Sequence, residues 1–387
     1  MKKVCVFTST RADYGLLAPV IQKIAEHPHL QLQILASGSH LRPEHGNTWQ
    51  EIEDHGFAID AKVPIMQASP LSSLDTCQIM STALAAYAQT LHKLAPDIIL
   101  VLGDRYETLC LAVAASVLGI PLAHYAGGEL TLGAMDDAFR HCITKLSLLH
   151  FTATEQYRNR VIQMGEEPKR CFNVGSLGVE NIKTMPLLNR DELNHSLGFE
   201  LPSPYLLITF HPETMAGRQT IEQCQALLNA LDKKPEYNVL ITKANADQHG
   251  QLINDLLEAW AKANQTRVFL RSSLGQLRYL SAMKHAAAVV GNSSSGIIEA
   301  PSLHVPTVDI GDRQKGRIAA ESVLNCPATE KDILAGLNKA LSADFVSIAR
   351  HCQNPYEKTG TSKIIANIIN GYALPSHLEK PFFDIEF

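Results

Sequence analysis

The residues of this chain best placed to do chemistry stand in short clusters, each following an apolar run. Gly103-Asp104-Arg105 puts a carboxylate beside a guanidinium at the end of such a run, a pairing hard to justify by stability alone. An N-cap role for Asp104 on the next helix is the plain alternative, and capping does not exclude catalysis. His124-Tyr125-Ala126-Gly127-Gly128-Glu129 carries paired glycines, suited to close approach of a ligand, into a second carboxylate. Asp136-Asp137 then opens a helix, with Asp136 four residues from Arg140 and Asp137 four from His141, the spacing of helical ion pairs. Acids in a first turn ordinarily only complement the helix dipole. The density of ionisable groups around them raises these above that role. Met135, Phe139, Ile143 and Leu146 mark the face this helix should bury.

A second set is built to receive an anion. Arg11, in Thr8-Ser9-Thr10-Arg11-Ala12-Asp13-Tyr14-Gly15, places a fixed cation at a helix start, where a phosphate or a mere loop contact would serve equally well. The segment has no GxGxxG, so a dinucleotide fingerprint is excluded. His211-Pro212-Glu213-Thr214 holds an imidazole at a strand end, its backbone kept extended by the proline. Gly291-Asn292-Ser293-Ser294-Ser295-Gly296 offers amides and hydroxyls at a helix start, a phosphate cradle without the Lys-Ser/Thr of a nucleotide-hydrolysing loop. Glu299 follows, in reach of ribose hydroxyls. Gly311-Asp312-Arg313-Gln314-Lys315-Gly316-Arg317 brings three cations to the next strand end. Alone it reads as a solvated loop, but beside a serine cradle it becomes a diphosphate clamp.

Elements of two kinds must position these groups. Short apolar runs alternate with segments of helical period, the pattern of an α/β fold with parallel sheets. Strands are expected at Val4–Thr8, Leu30–Ala36, Asp97–Leu102, Pro121–Tyr125 and Leu149–Ala153, with helices at Tyr14–Glu26, Leu74–Leu94, Tyr106–Val117, Asp136–Leu148 and Glu155–Met164. Asn181–Pro204 is polar, bears three prolines, and reads as a hinge with one short helix near Arg190–Leu197. A second series follows at Tyr205–Phe210, Tyr237–Thr242, Arg267–Leu270, Ala287–Val290 and Thr307–Ile310, and a last helix lies near Thr361–Gly371. The expected domains are therefore 1–180 and 205–360, joined through 181–204, with 361–387 a helix and tail. Two doubly wound sheets would hold a ligand in a cleft at the carboxyl ends of their strands.

Bulk composition narrows the partners. The 387 residues are 45% hydrophobic and 19% charged, enough to bury a core in each of two domains. A net charge of −5 and a pI near 6.3 argue against general nucleic-acid or anionic-membrane binding. The apolar N-terminal run is too short for a signal peptide, and no stretch approaches the roughly 20 residues of a membrane span. Eight scattered cysteines form no CxxC pair, which points to a reducing cytoplasm and away from structural zinc.

Taken in order, these clusters resemble the hydrolysing UDP-N-acetylglucosamine 2-epimerases over nearly the whole chain. The matching segments are Thr10 to Tyr14, Gly103-Asp104-Arg105, Gly127-Gly128-Glu129, Asp136-Asp137 with Arg140-His141 and Thr144-Lys145, Phe210-His211-Pro212, Gly291 to Ser294 and Gly311 to Arg317. The resemblance implies the two-domain GT-B fold, no metal, no redox cofactor and a homo-oligomer, dimer or tetramer. It implies loss of UDP from C1 as a base takes the C2 proton, then addition of water to the glycal with inversion at C2. Non-hydrolysing relatives have a glutamate-rich stretch where this chain has Asp136-Asp137. Other members often carry a glutamate or histidine at the position of Ala126, so proton transfer would rest here on Asp104, Glu129, Asp136 and His211. UDP and the sugar would be held by Arg11, Arg105, Arg140, Asn245, Ser293, Ser294, Glu299 and Arg313. The 387 residues fall short of the length an attached sugar kinase would need, so a monofunctional enzyme is expected. Three other readings stay open: the same reaction on a UDP-2,4-diacetamido-2,4,6-trideoxyglucose, a GT-B glycosyltransferase, and a non-catalytic nucleotide-sugar sensor.

Overall fold

The computed structural model describes residues 1–66, 72–132, 135–212, 219–244 and 250–386. The chain forms two compact units. One contains Met1–Glu129, Asp136–Glu180 and Lys358–Phe387, the other Leu130–Met135 and Asn181–Glu357.

The first unit is built on seven strands, β1 (Lys2–Thr8), β2 (Leu30–Ser37), β3 (Ala61–Val63), β4 (Ile98–Leu102), β5 (Leu122–Tyr125), β6 (Leu149–Thr152) and β7 (Cys171–Asn173). Their order across the sheet is β3-β2-β1-β4-β5-β6-β7, all pairings parallel. The central strands are buried on both faces, which is why they read as unbroken apolar runs rather than alternating ones. Helices cover both faces. Arg11–Ala25 starts at a capping box between Thr10 and Asp13, and Ser73–Leu94 at one between Ser72 and Asp75. The helix Thr361–Gly371 buries Ile365, Ala366 and Ile369 in the same core as β1. Lys2 Nζ donates to the carbonyls of Ile369, Asn370 and Tyr372 at 2.6, 3.0 and 2.8 Å, capping that helix with a cation where its dipole is negative.

The second unit holds six strands, β8 (Tyr205–Thr209), β9 (Asn238–Thr242), β10 (Val268–Arg271), β11 (Ala288–Gly291), β12 (Thr307–Ile310) and β13 (Val323–Cys326). Their order is β10-β9-β8-β11-β12-β13, again parallel throughout. Both units are doubly wound parallel sheets, the fold class read from the sequence. Three strands were not anticipated. β3 and β7 are three residues long, too short for a periodic signal, and β13 is a half-exposed edge strand. The polar stretch beginning at Asn181 also holds the end of a helix, Leu177–Thr184, because the apolar side chains Leu177 and Val179 at its start are buried.

Two readings need correction at the level of packing. The helix Asp136–Leu146 buries Arg140, Ile143 and Thr144, whereas Met135 is 40% exposed and Phe139 only half-buried. An arginine that finds a carboxylate partner can occupy a position an apolar pattern would give to phenylalanine. The Gly127-Gly128 pair serves a protein contact rather than an open space. Gly128 has φ +77°, and a Cβ there would lie 2.3 Å from the Tyr157 carbonyl oxygen.

Candidate active site

In each sheet the strand order reverses once, between β1 and β4 in the first and between β8 and β11 in the second. Crossovers run away from such a point on both sides, leaving a crevice beyond the carboxyl ends of the two strands. Ser9 to Asp13 follows β1 and Gly103-Asp104-Arg105 follows β4. His211 follows β8, and Asn292-Ser293-Ser294 follows β11. The topology therefore gathers the chemical clusters of each unit at its own switch point.

In the first unit Asp104 is ion-paired with Arg140, whose side chain is 2% exposed. The N-cap of the helix Tyr106–Val117 is Arg105, not Asp104, so the capping alternative falls. His124 supports the same turn from below. It is fully buried, and its Nε2 lies 2.8 Å from the Gly103 carbonyl, which can only accept. The ring proton therefore sits on Nε2, while Nδ1 faces the Thr144 hydroxyl at 3.2 Å. Burial drives the His124 pKa down to about 3, so the ring is neutral at physiological pH. Arg105 donates to Glu107 at 3.1 and 3.2 Å, and Glu107 is wholly buried. Arg11 Nε donates to Glu51 at 3.0 Å from the first turn of its helix, and both side chains are a third exposed. Glu129 is buried beyond β5, and Asp136 begins its helix half-buried. Asp137 lies 3.5 Å from His141, as the spacing predicts. Ala126 has φ +72°, an uncommon conformation for an alanine.

In the second unit the serine segment is tied down by hydroxyls. Tyr279 Oη lies 2.8 Å from Ser295 Oγ and 3.1 Å from Thr209 Oγ1, and Ser295 Oγ donates to Ser293 Oγ at 3.0 Å. The helix after the serines, Ser295–Ile298, is a single turn, so its macrodipole is small. Anion affinity there rests on hydroxyls, amides and nearby cations. Of the three cations expected, Arg313 is half-buried and donates to the Asn292 carbonyl at 3.1 Å, and Arg317 is half-buried too. Lys315 is turned to solvent beside Asp312, 3.4 Å away. His211 is buried, and burial, with Arg313 adding to it, lowers its pKa to about 3. Glu299 ends the short helix, half-buried, and Asn245 lies outside the described residues. Arg11, Asp104, Arg105, Glu129, Asp136 and Arg140 thus belong to the first unit, and His211, Ser293, Ser294, Glu299 and Arg313 to the second.

Residues 22–370 match the model of the UDP-N-acetylglucosamine 2-epimerase family. The chain belongs to that family. The GDP/UDP-N,N'-diacetylbacillosamine 2-epimerase (hydrolyzing) of Campylobacter jejuni is 40% identical over 385 residues, 99% of each chain. The polysialic acid biosynthesis protein P7 of Escherichia coli is 37% identical over 387 residues, covering 100% of this chain and 98% of its own. Among solved structures, the UDP-GlcNAc 2-epimerase of Neisseria meningitidis bound to UDP-GlcNAc superposes with a TM-score of 0.79. It covers 95% of this chain and 99% of its own at 20% identity, and so speaks to the fold. The fold is GT-B, and the chain is an enzyme of the hydrolysing 2-epimerase branch. Among the described residues no group of three His, Cys, Asp or Glu side chains could hold a metal, and no helix is long and apolar enough to cross a membrane.

Sequence reasoning did not single out His124, Tyr279 or Asn292, which hold the clusters in place. The first stands inside a quoted motif, and the last inside the serine segment. A lone buried polar residue gives no pattern, because its partners are backbone groups and hydroxyls brought to it from other segments of the chain.

Proposed function

We propose that this epimerase acts in the cytoplasm, as a homo-oligomer, on UDP-N-acetylglucosamine, releasing N-acetylmannosamine and UDP. The observation that carries the reading is Asp104 at the switch point of the first sheet, fixed by buried Arg140 and by the His124 bond to Gly103. A carboxylate so held suits removal of the C2 proton. As that proton leaves, the C1–O bond breaks with its electron pair and UDP departs, giving a glycal. Water then adds hydroxide at C1 and a proton at C2 on the opposite face. The C2 proton is barely acidic, so leaving-group charge must be well stabilised, and acid–base help contributes about 10²–10⁴-fold. Arg11, Arg313, Ser293 and Ser294 are assigned to the diphosphate, with Arg105, Asn245 and Glu299 completing the substrate contacts. Arg140, expected from the sequence to touch substrate, is buried and acts through Asp104 instead. His211, neutral in the free enzyme, can donate a hydrogen bond to the departing phosphate. An alanine methyl at position 126 moves no proton, which leaves Asp104, Glu129 and Asp136 to share that work.

The name of the Campylobacter relative favours a second substrate for the same reaction, UDP-N,N'-diacetylbacillosamine. Incubation with each sugar nucleotide in deuterated water, followed by NMR, separates the two. The true substrate should yield UDP and a free 2-epimeric sugar carrying one solvent deuteron at C2. Retention of the original C2 hydrogen in the product would overturn the glycal route and raise the glycosyltransferase reading.

A further inference from the structure

Asn292 is completely buried at the carboxyl end of β11, and no catalytic or binding role has so far been attached to it. Its side-chain oxygen accepts the His211 N–H at 2.7 Å, and its amide nitrogen donates to the His211 carbonyl at 2.8 Å. The ladder between β8 and β11 ends with Thr209 opposite Gly291. One residue further on, the side-chain amide takes over from the backbone and pairs with His211 as another peptide group would. Only an amide offers both a donor and an acceptor of this shape. The main chain of Asn292 makes the other half of the bracket. Its N–H donates to the Thr209 carbonyl at 3.2 Å. Its carbonyl accepts from Arg313 at 3.1 Å and Gln314 at 2.9 Å. Gly291 makes the approach feasible, since a Cβ there would lie 2.0 Å from the Thr209 carbonyl oxygen.

Resting on the reading above, we propose that Asn292 is a positioning residue. It fixes His211 and the Arg313 loop to one another, so the leaving-group donor and the diphosphate cation present themselves as one rigid unit. The peptide that follows has its carbonyl engaged by the Arg313 loop. A trans peptide points its two polar groups in opposite directions, so the Ser293 N–H is aimed away from that loop. Reaction geometry tolerates little slack, and a misplacement of about 1 Å can slow a step about 10²-fold.

The side chain and main chain of Asn292 serve different partners, and this makes the inference testable. Asn292→Ala should free His211 while leaving the carbonyl contacts to Arg313 and Gln314. Turnover should fall about 10-fold or more, with UDP affinity by calorimetry changed less than about 3-fold. In a His211→Ala background the same change should have almost no further effect on kcat, because residues acting through one group are not additive. Additive losses, or full turnover in Asn292→Ala while His211→Ala is impaired, would overturn the proposal. Should Asn292→Ala fail to fold, Asn292→Asp keeps the acceptor for His211 N–H and removes the donor to its carbonyl, and the same cycle is run with it. Full turnover in His211→Ala, or no UDP released by the wild-type enzyme, counts instead against the assigned reaction.

Discussion

Two histidines with different tasks share one electrostatic state. His124 under the Gly103 turn and His211 at the end of β8 are both buried, and both are held neutral with pKa values near 3. The unfolded chain binds a proton on each ring below about pH 6.5, and the folded protein does not. Stability must therefore fall as pH drops through that value, at about 1.4 kcal/mol per pH unit for each ring. His40 and His150, also lowered by burial, act in the same direction. Urea unfolding at pH 7.5 and 5.5 should show a clear loss at the lower pH. His124→Asn should flatten that dependence and, by loosening the Gly103 turn, lower kcat without weakening UDP binding. An unchanged pH slope in the variant would mean that His124 is already protonated in the folded state.

The helix Asp136–Leu146 shows how far an element can be read from its letters. Its start and its Asp137–His141 pair were legible, though it ends at Leu146 rather than Leu148, and so was its nearness in sequence to two acid-bearing strand ends. Its buried face was not, because a periodic count treats arginine as a solvent residue. Arg140 is there to meet Asp104, an encounter set by the parallel order of β4 and β5, which no local pattern contains. The same distinction runs through the fold. Long buried strands and the helix Thr361–Gly371 were readable from apolar runs and period, whereas β3, β7 and β13 depend on a neighbour to exist. Arg140→Met should leave Asp104 without this cation and destabilise the protein by less than the ~3–5 kcal/mol of a fully buried pair, because the Asp104 side chain is 24% exposed. Arg140→Lys should recover part of the melting temperature but little of kcat, since a flexible lysine ammonium holds Asp104 less firmly than a guanidinium. Equal recovery of both would reduce Arg140 to a simple counter-charge.

At the scale of the molecule, the last residues are part of the first unit rather than an appendage. Lys380 donates to the Ser147 carbonyl at 2.9 Å and to Glu166 at 2.9 Å, and it also reaches the Lys145 carbonyl. Lys145 and His150 complete the ring around wholly buried Glu166, at 2.6 and 3.0 Å. Burial alone would raise the Glu166 carboxyl, but His150 and the two lysines hold it down to about 2. Phe382 fills the space that a side chain at Gly165 would occupy, and the Phe383 N–H donates to the Gly165 carbonyl at 2.9 Å. These contacts sit at the carboxyl-terminal end of the helix that carries Asp136 and Arg140. Lys380→Met would leave Glu166 short of a partner in the interior and should lower the melting temperature by several degrees, as about 1–3 kcal/mol does in a chain of this size. A melting curve identical to wild type would show that Lys145 and His150 suffice.

The bond from Lys2 to the carbonyls of Ile369 and Asn370 spans 367 and 368 residues. A ribosome delivers those partners only after the whole of Asn181–Glu357 has emerged. During translation, then, the later unit has its full chain while the earlier one still lacks the helix and tail that close its core around β1. Domains ordinarily fold in the order they are made. Here the first sheet is made before the second unit, yet part of its apolar face stays uncovered until Thr361–Gly371, made after that unit, arrives.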